Sequence, residues 1–181
     1  QKVKPRILSR LQPQRQHLEA LKKQIYSRKL LDLDRKIKMV RENQKDSINL
    51  LNELARNKPR LKAAELDAYL EQLRAKLVRS EKEKQLIEKD ENLTRLYHLA
   101  SLELSRREWE KVKSTDLTEL KSLWAGPKAF YEIAEKRERI FLENLIKIKK
   151  PVIFVVGGFH VQALAQQFQE KGISFAVLSP R

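Results

Sequence analysis

The sequence predicts a mainly α-helical protein that ends in a small β-α-β unit. Leucine and isoleucine recur at helical spacing over most of the chain, and only four glycines and six prolines interrupt its 181 residues. In residues 151–181, by contrast, two runs of mostly β-branched or aromatic residues flank a helical pattern. We therefore expect long amphipathic helices, arranged as a hairpin or small bundle, with a C-terminal β-α-β unit of an incomplete parallel α/β sheet.

The N-terminal third is predicted to begin without regular structure. Residues 1–13 hold two prolines among basic residues, which favours an extended basic lead-in. The apolar spacing then predicts one long helix over about 14–57, or two helices with a break near Asp46-Ser47. Residues 14–125 as a whole are expected to form the helical arm or bundle.

Helix boundaries farther along are marked by capping signals. A serine or aspartate followed three residues later by glutamate is typical of a capping box, and it occurs at Ser80-Glu83, Ser105-Glu108 and Asp116-Glu119. Gly126-Pro127 predicts the end of a helix, because proline cannot continue one. The expected helices after the first arm cover about 60–79, 80–104, 105 onward, 116–125 and 128–149.

Charge is unevenly distributed along the chain. The formal net charge is +15, and residues 1–60 alone account for +11. A basic helical arm attracts nucleic acid, an anionic membrane surface or an acidic protein equally well by Coulombic forces. Tyr26 is the single aromatic residue there, so the aromatic side chains that stack on single strands are scarce. The alternative is an ordinary solvated helix face.

Composition also bounds the class of protein. The absence of cysteine excludes a disulfide framework and a thiolate metal site. No apolar run approaches the roughly 20 residues that span a bilayer, and the first 20 residues lack a signal-peptide core. We expect a soluble protein with no signal peptide or transmembrane helix in this chain.

The C-terminal segment, residues 126–181, is predicted to hold the α/β part. Residues 152–156 are expected to form a buried strand, 159–171 a helix ended by Gly172, and 173–178 a second strand. The two strands must be parallel and need neighbours, which we expect from the remainder of a larger polypeptide or from a partner chain. The ends of the sequence, Gln1 and Arg181, also favour a fragment.

His160 is the first candidate for chemistry. It follows Gly157-Gly158 at the carboxyl end of the first expected strand, which is where ligands gather in open α/β sheets. An imidazole there suits a metal ligand or a general base, and the backbone amides after the two glycines suit an anion. The alternative is a tight strand-to-helix turn with a polar residue at the start of the helix.

Arg137 is the second candidate. It is expected near the centre of an apolar stripe on the helix over 128–149, formed by Phe130, Ile133, Ala134, Ile140, Phe141, Leu145 and Ile148. A buried guanidinium needs a carboxylate or a bound anion, so we expect a buried partner or an anionic ligand. The alternative is an arginine that extends from the stripe to solvent.

The order of these motifs resembles the C-terminal part of the TraB/TIKI superfamily, which includes erythromycin-esterase-like proteins. The resemblance covers residues 128–181 and rests on Gly157-Gly158-Phe159-His160, a GxxH motif, and on the preceding Lys136-Arg137-Glu138. It implies that His160, Arg137 and Glu138 belong to a metal-dependent hydrolase site, with a divalent metal ion at His160. The family's earlier GxxH and glutamate are not found in this chain, so the resemblance implies half a site.

Three functions remain open on the sequence. The first is half of a metal-dependent hydrolase-like site, peptidase-like or esterase-like, inactive alone and completed by sequence outside this chain. The second is a non-catalytic helical scaffold or protein-interaction module with a basic arm. The third is nucleic-acid binding through residues 1–60.

Overall fold

The fold is helical throughout the part that is described. A computed structural model describes residues 3–42, 66–114, 121–148 and 150–178, and within these ranges it contains helices and no strand. The mainly α-helical prediction is confirmed. None of these helices is both long enough and apolar enough to cross a membrane. The helices are α1 Val3–Ile25, α2 Arg28–Glu42, α3 Leu66–Leu77, α4 Glu81–Ser101, α5 Arg106–Lys113, α6 Lys121–Leu145 and α7 Gly158–Glu170.

The chain divides into two compact units, each with its own apolar cluster. The first unit comprises Gln1–Gln12 and Asn92–Arg181, and the second comprises Pro13–Glu91. The cluster of the first unit is built on Ile7, Leu11, Leu93, Leu99, Ala100, Leu104, Trp109, Val112, Trp124 and Tyr131. The cluster of the second unit is built on Leu18, Tyr26, Leu30 and Leu86.

The prediction of an extended lead-in over residues 1–13 is wrong. Helix α1 begins at Val3 and includes Pro13. Pro5 lies in the first turn, where a backbone N–H would have no intrahelical acceptor in any case. Pro13 removes one helical hydrogen bond, but the burial of Leu11 and Leu18 on either side of it offsets that loss.

The first interruption of the helical arm occurs at Ser27, and the sequence did not predict it. Helix α1 ends at Ile25, and α2 begins at Arg28. The Ser27 hydroxyl accepts a hydrogen bond from the Leu30 backbone N–H at 3.3 Å, as an N-cap residue does. The break predicted near Asp46-Ser47 lies outside the described residues.

Two of the predicted capping boxes are formed. The Ser80 hydroxyl accepts from the Glu83 amide at 3.2 Å, and the Glu83 carboxylate accepts from the Ser80 amide at 3.1 Å. Ser105 and Glu108 make the same reciprocal pair at the start of α5. Each box satisfies backbone donors that the first turn leaves without helical acceptors. The Asp116-Glu119 pattern lies outside the described residues.

Helix α4 ends with a leucine where a glycine is usual. Leu102 has φ +61°, in the left-handed region. Its amide donates to Leu99 O at 3.2 Å, and the Glu103 amide donates to His98 O at 2.8 Å, which together form a Schellman motif. The motif satisfies two terminal carbonyl groups at the cost of a strained leucine.

Replacing Leu102 by glycine is expected to raise the free energy of unfolding by about 0.5–1 kcal/mol. Glycine removes the left-handed strain, and its larger unfolded-state entropy offsets only part of that gain. The measurement is urea denaturation followed by circular dichroism. Leu102→Ala is the control, because it keeps the Cβ and therefore the strain. A glycine variant less stable than the wild type would contradict the strain at this position.

The helix end predicted at Gly126-Pro127 is wrong. Helix α6 runs from Lys121 to Leu145 with Pro127 inside it. The proline leaves one backbone carbonyl without its helical donor and costs about 3 kcal/mol. Trp124 and Tyr131, on either side of it along the helix, are both buried in the cluster of the first unit, and burial of two large rings outweighs that cost.

The C-terminal β-α-β unit is not formed, although its helix is. Helix α7 spans Gly158–Glu170, and Gly172 follows it with φ +65°, as predicted. The flanking segments 151–157 and 173–178 contain no strand. A strand needs a neighbour for its ladder of hydrogen bonds, and neither segment pairs with any described residue as a strand. Ile153, Val155 and Leu178 are instead 96%, 89% and 94% exposed.

Candidate functional site

His160, Glu138 and Arg106 form a hydrogen-bonded network in the first unit. His160 lies in the first turn of α7, Glu138 on α6 and Arg106 at the start of α5. The His160 Nδ1 is 3.0 Å from Glu138 Oε1. Arg106 Nη1 donates to both oxygens of Glu138, at 2.9 and 2.8 Å. Three helices therefore converge on one carboxylate.

Arg106 is itself held by further acidic side chains. Its Nη2 donates to Glu135 Oε1 at 2.8 Å, and its Nε donates to Glu110 Oε1 at 3.0 Å. Its guanidinium also lies over the Phe159 ring, 5.4 Å from the ring centre. All five donors of a guanidinium lie in one plane, so these contacts fix its orientation.

The network is largely removed from solvent. The side chains of Glu138, His160 and Arg106 are 3%, 14% and 18% exposed. The rings of Phe159 and Phe141 meet the His160 ring edge-on, with centroids 5.4 and 5.7 Å away. Electrostatic interactions are stronger in such an environment than in water, so the carboxylate and the histidine are firmly coupled.

The arrangement selects one tautomer of the histidine. The Glu138 carboxylate accepts hydrogen bonds from Arg106 and, when ionised, can only accept. The Nδ1 of His160 must then donate its proton to Glu138. In the neutral imidazole this leaves the lone pair on Nε2, the form that serves as a general base or a metal ligand.

The structure brings Glu138 to His160 but places Arg137 elsewhere. Arg137 is exposed rather than buried, with its guanidinium over the Phe141 ring at 5.2 Å from the centre. The prediction of a buried arginine is wrong because α6 has two apolar faces. The face that is buried in the first unit carries Trp124, Tyr131, Ala134, Glu138 and Leu142, whereas Phe130, Ile133 and Ile140 of the predicted stripe are exposed.

Gly157 and Gly158 open α7 without needing to be glycines. Gly157 is the N-cap residue, with φ −68° and no side-chain cap. A Cβ at either glycine would meet no atom within 4 Å. Glycine is therefore not required at these two positions by a left-handed backbone or by the close approach of another described group. The assignment of Gly157 and Gly158 to an anion site stays a prediction.

A second histidine-carboxylate pair lies in the same unit. His98 Nδ1 is 2.7 Å from Glu108 Oε1, and the other oxygen of Glu108 accepts from the Ser105 amide at 2.8 Å and from its hydroxyl at 2.7 Å. Burial disfavours the ionised carboxylate, but the hydrogen bonds from His98 and Ser105 outweigh it and lower the pKa of Glu108 to about 2. This pair joins the end of α4 to the start of α5.

Glu108 is expected to stabilise the protein by about 2 kcal/mol at neutral pH and to lose that effect in acid. Its folded-state pKa lies below the usual 4.5, so the contribution is fully present above pH 4.5 and is lost as the pH falls toward about 2. The measurement is the difference in unfolding free energy between the wild type and Glu108→Gln, from pH 7 to pH 2. The variant removes the titration of this carboxylate, and His98→Gln, measured in the same way, removes that of its hydrogen-bond partner. A difference that does not change with pH would contradict the assignment.

The described residues do not fit a metal ion by themselves. No group of three or more histidine or acidic side chains in residues 3–42, 66–114, 121–148 and 150–178 is arranged to hold one. The Nδ1 of His160 faces Glu138, whose oxygens are occupied by Arg106. The geometry instead resembles the orientation of a histidine base by a carboxylate.

Comparisons with protein-family models, with curated proteins and with solved structures gave no match to this chain. The resemblance to the TraB/TIKI superfamily therefore rests on the motif residues alone. The chemistry of the site follows from its own geometry.

Sequence reasoning missed Arg106 and Glu135. Their contacts join residues 29 and 32 positions apart in the chain, so no local spacing reveals them. The capping box at Ser105-Glu108 did fix where α5 begins. It therefore indicated that Arg106 occupies a first helical turn, but not which way its side chain points.

Proposed function

We propose that this chain contributes one half of a hydrolase-like site of the TraB/TIKI type, with His160 as its general base. The observation that carries the proposal is the contact of His160 Nδ1 with the buried Glu138, which Arg106 holds in place. In a hydrolytic site, a carboxylate that fixes the tautomer of a histidine prepares that histidine to accept a proton from the nucleophile.

The chemistry assigned to His160 is proton transfer. Its Nε2 accepts a proton from the attacking water as the oxygen bonds to the substrate carbonyl carbon, and then returns that proton to the departing oxygen or nitrogen. Glu138 stabilises the imidazolium between these two steps. No nucleophilic side chain is assigned, so water is the nucleophile.

Arg137 is assigned to the anionic part of the substrate. It is exposed, it forms no ion pair with any described residue, and it shares the Phe141 ring with His160. A guanidinium in this position suits a carboxylate or a developing oxyanion. The apolar side chains of segments 152–156 and 173–178 are largely exposed. We assign the other half of the site to a polypeptide that pairs with these two segments.

Hydrolysis of p-nitrophenyl acetate tests the role of His160, because an activated ester requires a base but not a complete substrate site. The chain has three histidines, so each can be replaced by glutamine in turn. We expect His160→Gln to lower the protein-dependent rate about tenfold, His98→Gln to lower it less, and His17→Gln to leave it nearly unchanged. Equal effects of the three substitutions, in variants with wild-type circular dichroism, would overturn the proposal.

A non-catalytic interaction module is the second candidate. The observation that favours it is the exposure of Ile153, Val155 and Leu178, large apolar side chains in the two segments that flank α7. Such segments can add strands to the sheet of another polypeptide. A stable complex that His160→Gln does not weaken would favour this function over catalysis.

A further inference from the structure

The outer face of α2 is strongly basic. Arg28, Lys29, Arg35 and Lys36 lie within about 120° of one another around the helix axis, at 100° per residue. Leu30, Leu33 and Ile37 are buried and lie within about 60° of one another on the adjoining side of the helix. We refer to the four cations as the α2 basic face.

Several acidic side chains of the second unit bind partners that do not belong to the α2 basic face. Asp34 and Asp90 both contact the fully buried Lys22, at 3.0 and 2.7 Å. Glu71 and Glu91 both bind Arg74. The Glu83 carboxylate accepts from the backbone amides of Ser27, Arg79 and Ser80. These carboxylates cannot neutralise the cations on the surface.

Most of the exposed cations described in this unit form no ion pair with a described residue. Arg28, Lys29 and Arg35 are exposed and form no ion pair within the described residues, and Asp32 on the same face pairs with Lys36 at 3.5 Å. Further exposed cations in the unit, also without an ion pair to any described residue, are Lys23, Lys76, Arg79, Lys82 and Lys89. Among the described residues of this unit, the exposed cations without an ion pair therefore outnumber the exposed anions, which are Asp32, Glu81 and Glu88.

From this excess of exposed, unpaired cations we infer that the α2 basic face binds double-stranded nucleic acid through its phosphates. A row of lysines and arginines releases counterions from a duplex, and this release drives binding without base recognition. The aromatic residues described in this unit are the buried Tyr26 and the half-buried Tyr69, so bases have no exposed ring to stack on. Met39 is the single large apolar side chain described as exposed in this unit, too few for insertion into a membrane.

The test is the salt dependence of binding to a fluorescent DNA duplex of about 20 base pairs, measured by anisotropy between about 50 and 200 mM KCl. The variant replaces Arg28, Lys29 and Arg35 by glutamine. The control replaces Lys147, Lys150 and Lys171 by glutamine, which are exposed cations of the first unit. Both variants carry the same net charge, so only the position of the removed charge differs.

We expect the α2 variant to bind at least about tenfold more weakly at about 100 mM KCl. The slope of log K against log salt is negative, and its magnitude should decrease by about 3, since each phosphate that is no longer neutralised removes about 0.9 from it. The control should keep nearly the wild-type slope. An RNA duplex of the same length should give the same ranking, since phosphates rather than bases are contacted. Equal losses of affinity in the two variants, or wild-type binding to phosphatidylserine vesicles but not to the duplex, would overturn the inference. Ester hydrolysis by His160 is measured separately and does not enter this result.

Discussion

Replacing Lys22 by methionine is expected to lower the free energy of unfolding by about 3–5 kcal/mol. The Lys22 ammonium is fully buried, with its Nζ 3.1 and 3.0 Å from the two oxygens of Asp34 and 2.7 Å from Asp90. Methionine approaches the length of the side chain but carries no charge. The two carboxylates then lose the cation that they share, and among the described residues only Lys38, 3.6 Å from Asp34, still offers a positive charge. A buried charge that loses its partner is among the costliest defects in a protein.

Lys23 supplies a matched control, because it is the next residue on the same helix and is exposed. Lys23→Met is expected to change stability by less than about 0.5 kcal/mol. The measurement is urea denaturation followed by circular dichroism for both variants. Adding Asp34→Leu and Asp90→Leu to Lys22→Met should restore much of the stability, because apolar residues can replace a buried ionic cluster. Equal effects of the Lys22 and Lys23 substitutions would contradict the buried cluster.

Replacing Glu138 by glutamine is expected to cost about 2–3 kcal/mol and to release the ring of His160. The amide cannot balance the charge of Arg106, although Glu135 and Glu110 still bind that guanidinium. The glutamine amide offers an NH2 donor as well as an oxygen acceptor, so it no longer requires the proton of His160 to be on Nδ1. Nitrogen-15 NMR of the imidazole should therefore show one tautomer in the wild type and a mixture in the variant.

Glu132→Gln is the control for this substitution. Glu132 lies on the same helix and is exposed, so its replacement should change stability by less than about 0.5 kcal/mol and leave the tautomer of His160 unchanged. A Glu138→Gln variant with the wild-type tautomer would show that the tautomer of His160 does not depend on the carboxylate. That result would remove the central observation of the proposed hydrolytic site.

The sequence was most informative where structure is decided locally. The capping boxes at Ser80 and Ser105 and the glycine after α7 depend on neighbouring residues, and all three are found as predicted. Pro13 and Pro127 misled the prediction, because the burial of apolar side chains on either side of each proline outweighs the cost of a proline within a helix. Helix propensity describes an isolated segment, whereas side-chain packing decides which residues are helical in the folded chain.

The candidate site could be predicted only in part for the same reason. His160 and Glu138 were found from a short motif and a resemblance, and the structure brings them together. Arg106 was missed because its partners are distant in sequence. Arg137 was misplaced because periodicity identifies an apolar face but not which of two such faces is covered. The two expected strands needed a neighbour that periodicity does not describe.

The largely exposed segment over residues 152–156 has a consequence for the behaviour of this chain in concentrated solution. Five consecutive apolar residues of high β-propensity, without charge or proline, form a segment able to stack into a cross-β spine. Lys150 and Pro151 stand immediately before it and act as gatekeepers against such stacking. A polypeptide that covered Ile153 and Val155 would therefore also protect the chain from fibril formation.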